Sequence, residues 1–282
     1  MSTVIEQEAP AGVAGGRERP AYKVTGARVL RSEWAKLWSL RSTWITLGLA
    51  LVFVIAFGLI SLAHYKSALD GGGHLDPDLK TATAADLSLF GVNFGQLALG
   101  VLGVLVTAGE YSTGMIRSTL AAVPKRLPVL WSKAAVYGVV AFVVALVGVF
   151  AAFVFGHGIV SGTPAAVSLS DPGVVRALFG AALYLALVGV IAVSLGALLR
   201  SVAGGISVLV ASLMLIPGLA DLLPSSWRDD VTQVLPSNAG GSMFAVHHAA
   251  GTLSPGTGLL VLLGWTVLAL AGAAYRLMRT DA

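Results

Sequence analysis

Residues 44–64 read WITLGLALVFVIAFGLISLAH, an apolar run without one Asp, Glu, Lys or Arg. A helix needs about 20 consecutive, mostly apolar residues to cross the hydrocarbon core of a bilayer. The run is long enough, and it lies too far from the N-terminus, behind a basic segment, to be a signal peptide. The sequence therefore predicts a membrane-spanning helix at this position.

The composition agrees with a membrane protein. The 282 residues are 56% hydrophobic and only 11% charged, whereas a soluble globular protein has roughly 25% charged residues. The chain has no cysteine, which excludes disulfides, thiolate metal sites and thiol nucleophiles. The net charge of +4 is typical of basic loops on the cytoplasmic side of a membrane, so we expect no nucleic-acid partner.

Five more apolar runs follow the first one along the chain. The six predicted spans are residues 44–64, 87–108, 129–155, 174–199, 204–223 and 257–277. No Asp, Glu, Lys or Arg lies near the centre of any span, where each would cost roughly 2.5–3.5 kcal/mol on insertion. Lys133, near the start of the third span, can reach the interface with its long side chain. The sequence thus predicts an all-α integral membrane protein with six transmembrane helices.

The basic residues indicate the orientation of these spans. With six spans, 14 of the 18 Lys and Arg residues fall on the side of the two termini, and eight Asp residues fall on the other side. Because cytoplasmic loops carry the excess of Lys and Arg, both termini are predicted to be cytoplasmic. Residues 1–26 are rich in Ala, Gly, Glu and Pro and are expected to form a disordered cytoplasmic tail.

The segment before the first span, ARVLRSEWAKLWSL at residues 27–40, has the pattern of an amphipathic helix. Basic residues on one face and Trp or Leu on the other are typical of a helix that lies among lipid headgroups. The alternative is a plain continuation of the first span. The residues assigned to the membrane-interface helix are Leu30, Trp34, Lys36, Leu37 and Trp38.

A stripe of polar and small residues runs along the second span: Asn93, Gln96, Gly100, Gly103 and Thr107. Small residues let membrane helices approach closely, and amides form hydrogen bonds between helices. The stripe is therefore either a packing surface or, at Asn93 and Gln96, the border of a substrate path.

The predicted cytoplasmic loop 109–128 contains a short helix within residues 112–122, ended by Pro124. This helix is expected to expose Met115 and Arg117, with Glu110 at the mouth of the second span. A solvated basic loop is the alternative explanation for Arg117, Lys125 and Arg126.

The external loop 221–256 is too long for a turn and is expected to hold a partly re-entrant or interfacial helix pair. His247 and His248 within it are adjacent, so on a helix they point about 100° apart and chelate a metal poorly. The chain also has no G-x-x-x-x-G-K-[ST] phosphate loop and no set of hydrolytic residues. No ionisable residue lies near mid-membrane, as proton-coupled transporters usually require. We therefore predict no metal, no cofactor and no enzymatic activity, and an energy source, if any, on another chain.

Three stretches resemble the permease subunits of type-2 ATP-binding-cassette (ABC) exporters, of the class common in high-GC Gram-positive bacteria. They are RSEWAKLWSLRSTW at 31–44, GEYSTGMIRSTL at 109–120 with its basic continuation through Lys133, and LPSNAGG at 235–241. With the six spans they cover nearly all of the chain after residue 27. The resemblance implies a multi-pass protein of the bacterial cell membrane with an elbow helix before the six spans.

The resemblance also implies partners. Two permease copies or homologous permeases pair, and a separate ATPase subunit binds ATP and Mg²⁺. The loop after the second span forms a coupling helix that docks on that ATPase. Carried over by position, the coupling loop comprises Glu110, Tyr111, Gly114, Arg117, Lys125 and Arg126. Because the second and fifth spans line the path in this family, Asn93 and Gln96 are placed near it. The alternative function is a membrane assembly or immunity factor that binds a partner without transport.

Overall fold

A computed structural model describes residues 24–71, 77–246 and 251–279, and within these ranges the chain is helical without a β-strand. The helices are α1 (Gly26–Ser39), α2 (Arg41–Asp70), α3 (Pro77–Thr81), α4 (Ala84–Ser88), α5 (Val92–Ser112), α6 (Met115–Ala122), α7 (Leu127–His157), α8 (Val174–Leu199), α9 (Val202–Val210), α10 (Ile216–Ala220), α11 (Ser225–Gln233), α12 (Pro236–Phe244) and α13 (Pro255–Arg279). A 3₁₀ turn at Leu89–Gly91 joins α4 to α5, and a π-helical turn at Ala211–Leu215 joins α9 to α10. The expected disordered tail lies almost entirely outside the described residues.

Within the described ranges, six continuous helices are long and apolar enough to cross a membrane. They are Arg41–Asp70, Ala84–Ser112, Leu127–His157, Val174–Leu199, Val202–Ala220 and Pro255–Arg279. The prediction of an all-helical protein with six such helices is confirmed at this level. We call the end of the bundle that carries α1 and α6 the α6 end, and the opposite one the α12 end.

The fifth long helix ends at Ala220, earlier than the predicted limit at residue 223. Residues 221–223 form turns instead, and Pro224 follows them. A residue before proline is pushed out of the helical region, and Asp221 adds a charge at this point. The helix therefore ends shortly before the limit of about residue 223 that the sequence suggests for this span.

α8 lies at the centre of the bundle, where it packs against α5, α7 and α13. Small residues allow the close approach of α5 and α8. A Cβ atom added to Gly103 would lie 2.8 Å from the carbonyl oxygen of Gly189, which is far too close. Gly100 and Thr107 of the predicted stripe are buried as well. This part of the stripe is a packing surface between helices.

The fifth long helix is the least buried of the six. Its α-helical ladder is interrupted by the π-helical turn at Ala211–Leu215, directly before Pro217. Proline has no N–H to donate to the preceding turn, and its ring crowds the carbonyl four residues earlier. The widened turn accommodates the proline within a continuous helix, and such turns are frequent at functional sites.

Two helices, α11 and α12, lie in the loop 221–256; that they are re-entrant or interfacial stays a prediction. α12 packs against α8 and α13, with Ala239, Gly240 and Met243 buried. A Cβ at Gly240 would overlap with the ring of Tyr184 on α8, so the contact requires glycine. His247 and His248 lie outside the described residues.

Candidate functional site

Four charged side chains from three helices meet at the α6 end of the bundle. The Nζ of Lys133 on α7 lies 2.6 Å from Glu33 Oε2 and 2.8 Å from Glu110 Oε1. The Nζ of Lys36 lies 2.7 Å from Glu33 Oε1 and 3.1 Å from Glu110 Oε1. Two carboxylates and two ammonium groups thus form one closed network, which we call the charge cluster.

The helices position the cluster in a simple way. Glu33 and Lys36 are three residues apart on α1 and share a face of that helix. Glu110 lies in the last turns of α5, and Lys133 lies in the second turn of α7. The solvent-exposed fraction is only 3% for Glu33, 5% for Glu110 and 4% for Lys133. Charges are tolerated at such depth when they are paired and hydrogen-bonded, because isolated charges cost several kcal/mol to desolvate.

The ammonium of Lys133 is buried in the bundle and does not extend to solvent. It points into the cluster and also donates to the carbonyl oxygen of Val106 at 3.4 Å. The reason is that Glu33 and Glu110 offer the ammonium two nearby carboxylates inside the bundle.

Lys36 extends the cluster to the short helix α6. Its Nζ donates to Thr119 Oγ1 at 3.2 Å, so one ammonium group bonds to α1, α5 and α6. Burial lowers the pKa of Lys36, but hydrogen bonds and charge attraction from Glu33 and Glu110 outweigh this effect. The net pKa lies above the ordinary 10.5, and the side chain stays cationic at neutral pH.

The turn before α6 depends on a glycine. Gly114 has φ 73°, a left-handed conformation that residues with a Cβ rarely adopt. It lets the chain reverse after α5 and start α6 at Met115. α6 buries Ile116 and exposes Met115 and Arg117, so the expected short helix is present, with the expected residues on its surface.

The remaining residues of the predicted coupling loop are divided between two environments. Glu110 is inside the cluster, so its carboxylate is not part of the exposed surface. Tyr111 is half-buried, with the guanidinium carbon of Arg200 5.1 Å from its ring centroid. Lys125 is exposed, whereas Arg126 donates from Nη1 to the carbonyl oxygen of Leu277 at 3.3 Å. Arg117 and Lys125 are therefore the charged members of this set that lie on the exposed surface.

The predicted interface residues of α1 lie on two different faces. Leu30 and Trp34 are exposed at 41% and 46%, and Leu37 is buried at 4%. Trp38 is half-buried between Trp34 and Trp44, with ring centroids at 5.3 and 4.2 Å. An apolar exposed edge with tryptophan suits a helix among lipid headgroups, while the Leu37 face packs onto the bundle.

Asn93 and Gln96 do not share an environment. Asn93 is exposed, and its Nδ2 donates to the carbonyl oxygen of Phe90 at 3.2 Å. Gln96 is 4% exposed, and its Oε1 accepts a hydrogen bond from the hydroxyl of Tyr184. Since Gly240 of α12 packs on the same tyrosine ring, Gln96 connects to α12 through Tyr184.

Two further charged side chains, which no sequence motif singles out, bind the end of α12. Arg176 donates from Nη1 to Met243 O at 3.0 Å and from Nη2 to Ala245 O at 2.6 Å. Asp86 Oδ1 accepts from the backbone N–H of Val246 at 3.3 Å. A guanidinium at the C-terminus of a helix donates hydrogen bonds to the unpaired carbonyls there. Its positive charge also interacts favourably with the helix dipole.

Glu33 and Lys133 were also missing from the predicted site, although the sequence contains a signal for each. Glu33 is the one acidic residue in the basic segment 28–41, and Lys133 is the one Lys or Arg within the predicted span 129–155. A lone lysine in an apolar span needs an acidic partner, and Glu33 is a candidate because it lies in the neighbouring interfacial segment.

Comparisons with known proteins add no relative: no family model matches the chain, and no curated protein matches its sequence.

Proposed function

We propose that this chain is the permease subunit of an ATP-driven exporter of the ABC class in a bacterial cell membrane. A separate ATPase subunit docks on α6 and the loop around it, and two permease copies or two homologous permeases enclose the path. Six helices of membrane-spanning length support a multi-pass protein. The excess of Lys and Arg at the α6 end supports a cytoplasmic position of that end.

The observation that carries the proposal is the bond from the charge cluster to α6. α6 offers Met115 and Arg117 on its exposed surface. On its other side, Thr119 bonds to Lys36, which bonds to Glu33 and Glu110. A displacement of α6 by a docked protein therefore acts directly on α1, α5 and α7, which meet in the cluster.

This arrangement suggests separate roles for the residues of the loop. Arg117 and Met115 supply the docking surface, where exposed charges mostly set association rate and specificity. Glu110 is a positioning residue that transmits the movement of α6 to α5. Gly114 provides the turn that presents α6.

The test is co-purification in detergent with candidate ATPase subunits, followed by ATP hydrolysis assays in lipid nanodiscs. We expect a stable complex in which hydrolysis depends on the permease. Arg117→Glu should weaken association by roughly tenfold or more, as reversing one interfacial charge does. Glu110→Gln should leave association intact and lower permease-dependent hydrolysis. Arg228→Glu, an exposed arginine on α11 at the opposite end, is the matched control and should change neither.

Two results would contradict the proposal. One is a chain that purifies alone while no ATPase binds it. The other is binding to a partner with no effect on ATP hydrolysis, which favours the alternative of an assembly or immunity factor. Equal behaviour of Arg117→Glu and Arg228→Glu would remove α6 from the docking surface.

A further inference from the structure

An elongated cavity of about 280 Å³ lies between α8, the fifth long helix, α13 and the start of α12. Its lining is almost entirely aliphatic. Along α8 it extends from Val188 to Leu198, which corresponds to about 15 Å at 1.5 Å per residue. On the opposite wall, Ser212 and Leu213 belong to the π-helical turn of the fifth long helix.

The polar side chains on this lining are already satisfied. The hydroxyl of Ser212 donates to the carbonyl oxygen of Leu209 at 2.8 Å. The indole Nε1 of Trp265 donates to the carbonyl oxygen of Val234 at 2.9 Å. The side chains of the lining therefore keep no free donor, and the oxygen of Ser212 is their one remaining acceptor. Recognition here depends mainly on shape and apolar contact.

An apolar cavity of this size excludes water, since a buried water needs two to four polar partners. Leaving it empty costs free energy in proportion to its volume. In a helix bundle surrounded by lipid, the apolar material at hand is hydrocarbon. The fifth long helix, which forms one wall, is the least buried of the six within a single copy of the chain.

We propose that this cavity binds one alkyl chain of about eight to twelve carbons, which enters from the bilayer between the fifth long helix and α13. Two independent estimates agree on this length. At roughly 30 Å³ per methylene, similar to one water in the liquid, the volume holds about nine carbons. At roughly 1.3 Å of extension per carbon, from C–C bonds of about 1.5 Å, 15 Å corresponds to about eleven. The site takes the hydrocarbon of an amphiphile whatever its headgroup, and it requires no ATPase partner.

The experiment uses the full chain in a steroid-based detergent, which contains no alkyl chain. Trp265 lines the cavity, so a variant with the other five tryptophans changed to phenylalanine reports occupancy by fluorescence. The probe is 10-bromodecanol, because bromine quenches tryptophan at short range. We expect saturable quenching that competing decanol and decyl phosphate relieve equally well, and that butanol relieves poorly.

The phenylalanine of Ala269→Phe fills the cavity from α13. It should raise the apparent Kd for 10-bromodecanol about tenfold or more, as expected from the loss of several buried methylene contacts. Val267→Phe places the same ring on the exposed face of the same helix. Its apparent Kd should stay within about twofold of the parent value, as for other exposed substitutions. Val208→Phe fills the cavity from the other wall and replaces Ala269→Phe if that variant misfolds. Thermal unfolding of the chain with all its tryptophans, with and without decanol, provides a readout independent of the tryptophan substitutions.

Equal quenching of the Ala269→Phe and Val267→Phe variants would overturn the proposal, because it would mean simple partition into the detergent. Binding that follows the charge of the headgroup, or that is as tight for butanol as for decanol, would overturn it too. None of these outcomes bears on whether an ATPase docks at α6.

Discussion

Lys133 and Glu33 are 100 positions apart in the sequence, yet their side chains meet at 2.6 Å with almost no exposed surface. The contact joins α7 to the amphipathic helix α1, which precedes all six long helices. Glu110 completes the link to α5. The position of α1 against the bundle is therefore fixed by paired charges as well as by the apolar contact of Leu37.

Removing one ammonium group from the cluster should destabilise the fold. In Lys133→Met, two buried carboxylates share Lys36 alone, and breaking a buried pair by loss of one partner typically costs about 3–5 kcal/mol. We expect a loss of this size in unfolding by sodium dodecyl sulfate or by heat in detergent. Adding Glu33→Gln to Lys133→Met should recover part of the loss, because it removes the excess negative charge. A double variant as unstable as the sum of the two single variants would mean that the charges act independently.

The same cluster predicts a change of stability at alkaline pH. The raised pKa of Lys36 means that its contribution is fully present below the unfolded value near 10.5. The contribution is then lost as pH rises through the higher pKa of the folded state. The free energy of unfolding, measured between about pH 9 and 12, should therefore fall once the pH exceeds the ordinary pKa of lysine. Lys36→Met should show a shallower decline than the parent chain. A profile unchanged by this substitution would assign the alkaline decline to other groups.

The buried amide of Gln96 provides a third prediction. Tyr184→Phe removes the hydroxyl that donates to Gln96 and leaves the amide oxygen without that partner inside the bundle. A buried acceptor that loses its donor costs about 1–3 kcal/mol, so we expect a loss of that size in thermal unfolding. Asn93→Ala on the exposed face should change the free energy of unfolding by less than about 0.5 kcal/mol. If Asn93→Ala nevertheless alters transport in the assembled exporter, Asn93 borders the path while Gln96 serves packing.

The fold could be predicted from the sequence because its signal is local, whereas the site depends on long-range contacts. Each long helix is visible as an uninterrupted apolar run, and α6 is visible from the polar break after α5 and the proline after it. The pairing of Glu33, Glu110 and Lys133 is different, because it depends on which helix ends come together. Lysine near a span end usually reaches for water, and the three-dimensional proximity of two carboxylates overrides that tendency at Lys133. Likewise, nothing near Gln96 in the sequence indicates that Tyr184 donates to it.

Substitutions at two neighbouring glycines of α12 can test how closely that helix packs against α8. A Cβ at Gly240 would overlap with the ring of Tyr184, whereas a Cβ at Gly241 meets no atom within 4 Å. Gly240→Ala should therefore force α12 away from α8 and destabilise the protein by about 1–3 kcal/mol, as overpacked sites do. Gly241→Ala should be neutral or stabilising by up to about 1 kcal/mol, because alanine is the better helix former. Thermal unfolding of the two variants in one detergent gives the comparison. Limited proteolysis after α12 adds a local readout, in which only Gly240→Ala should expose the chain. Equal stability of the two variants would show that α12 can shift, and that its close contact with Tyr184 does not contribute to stability.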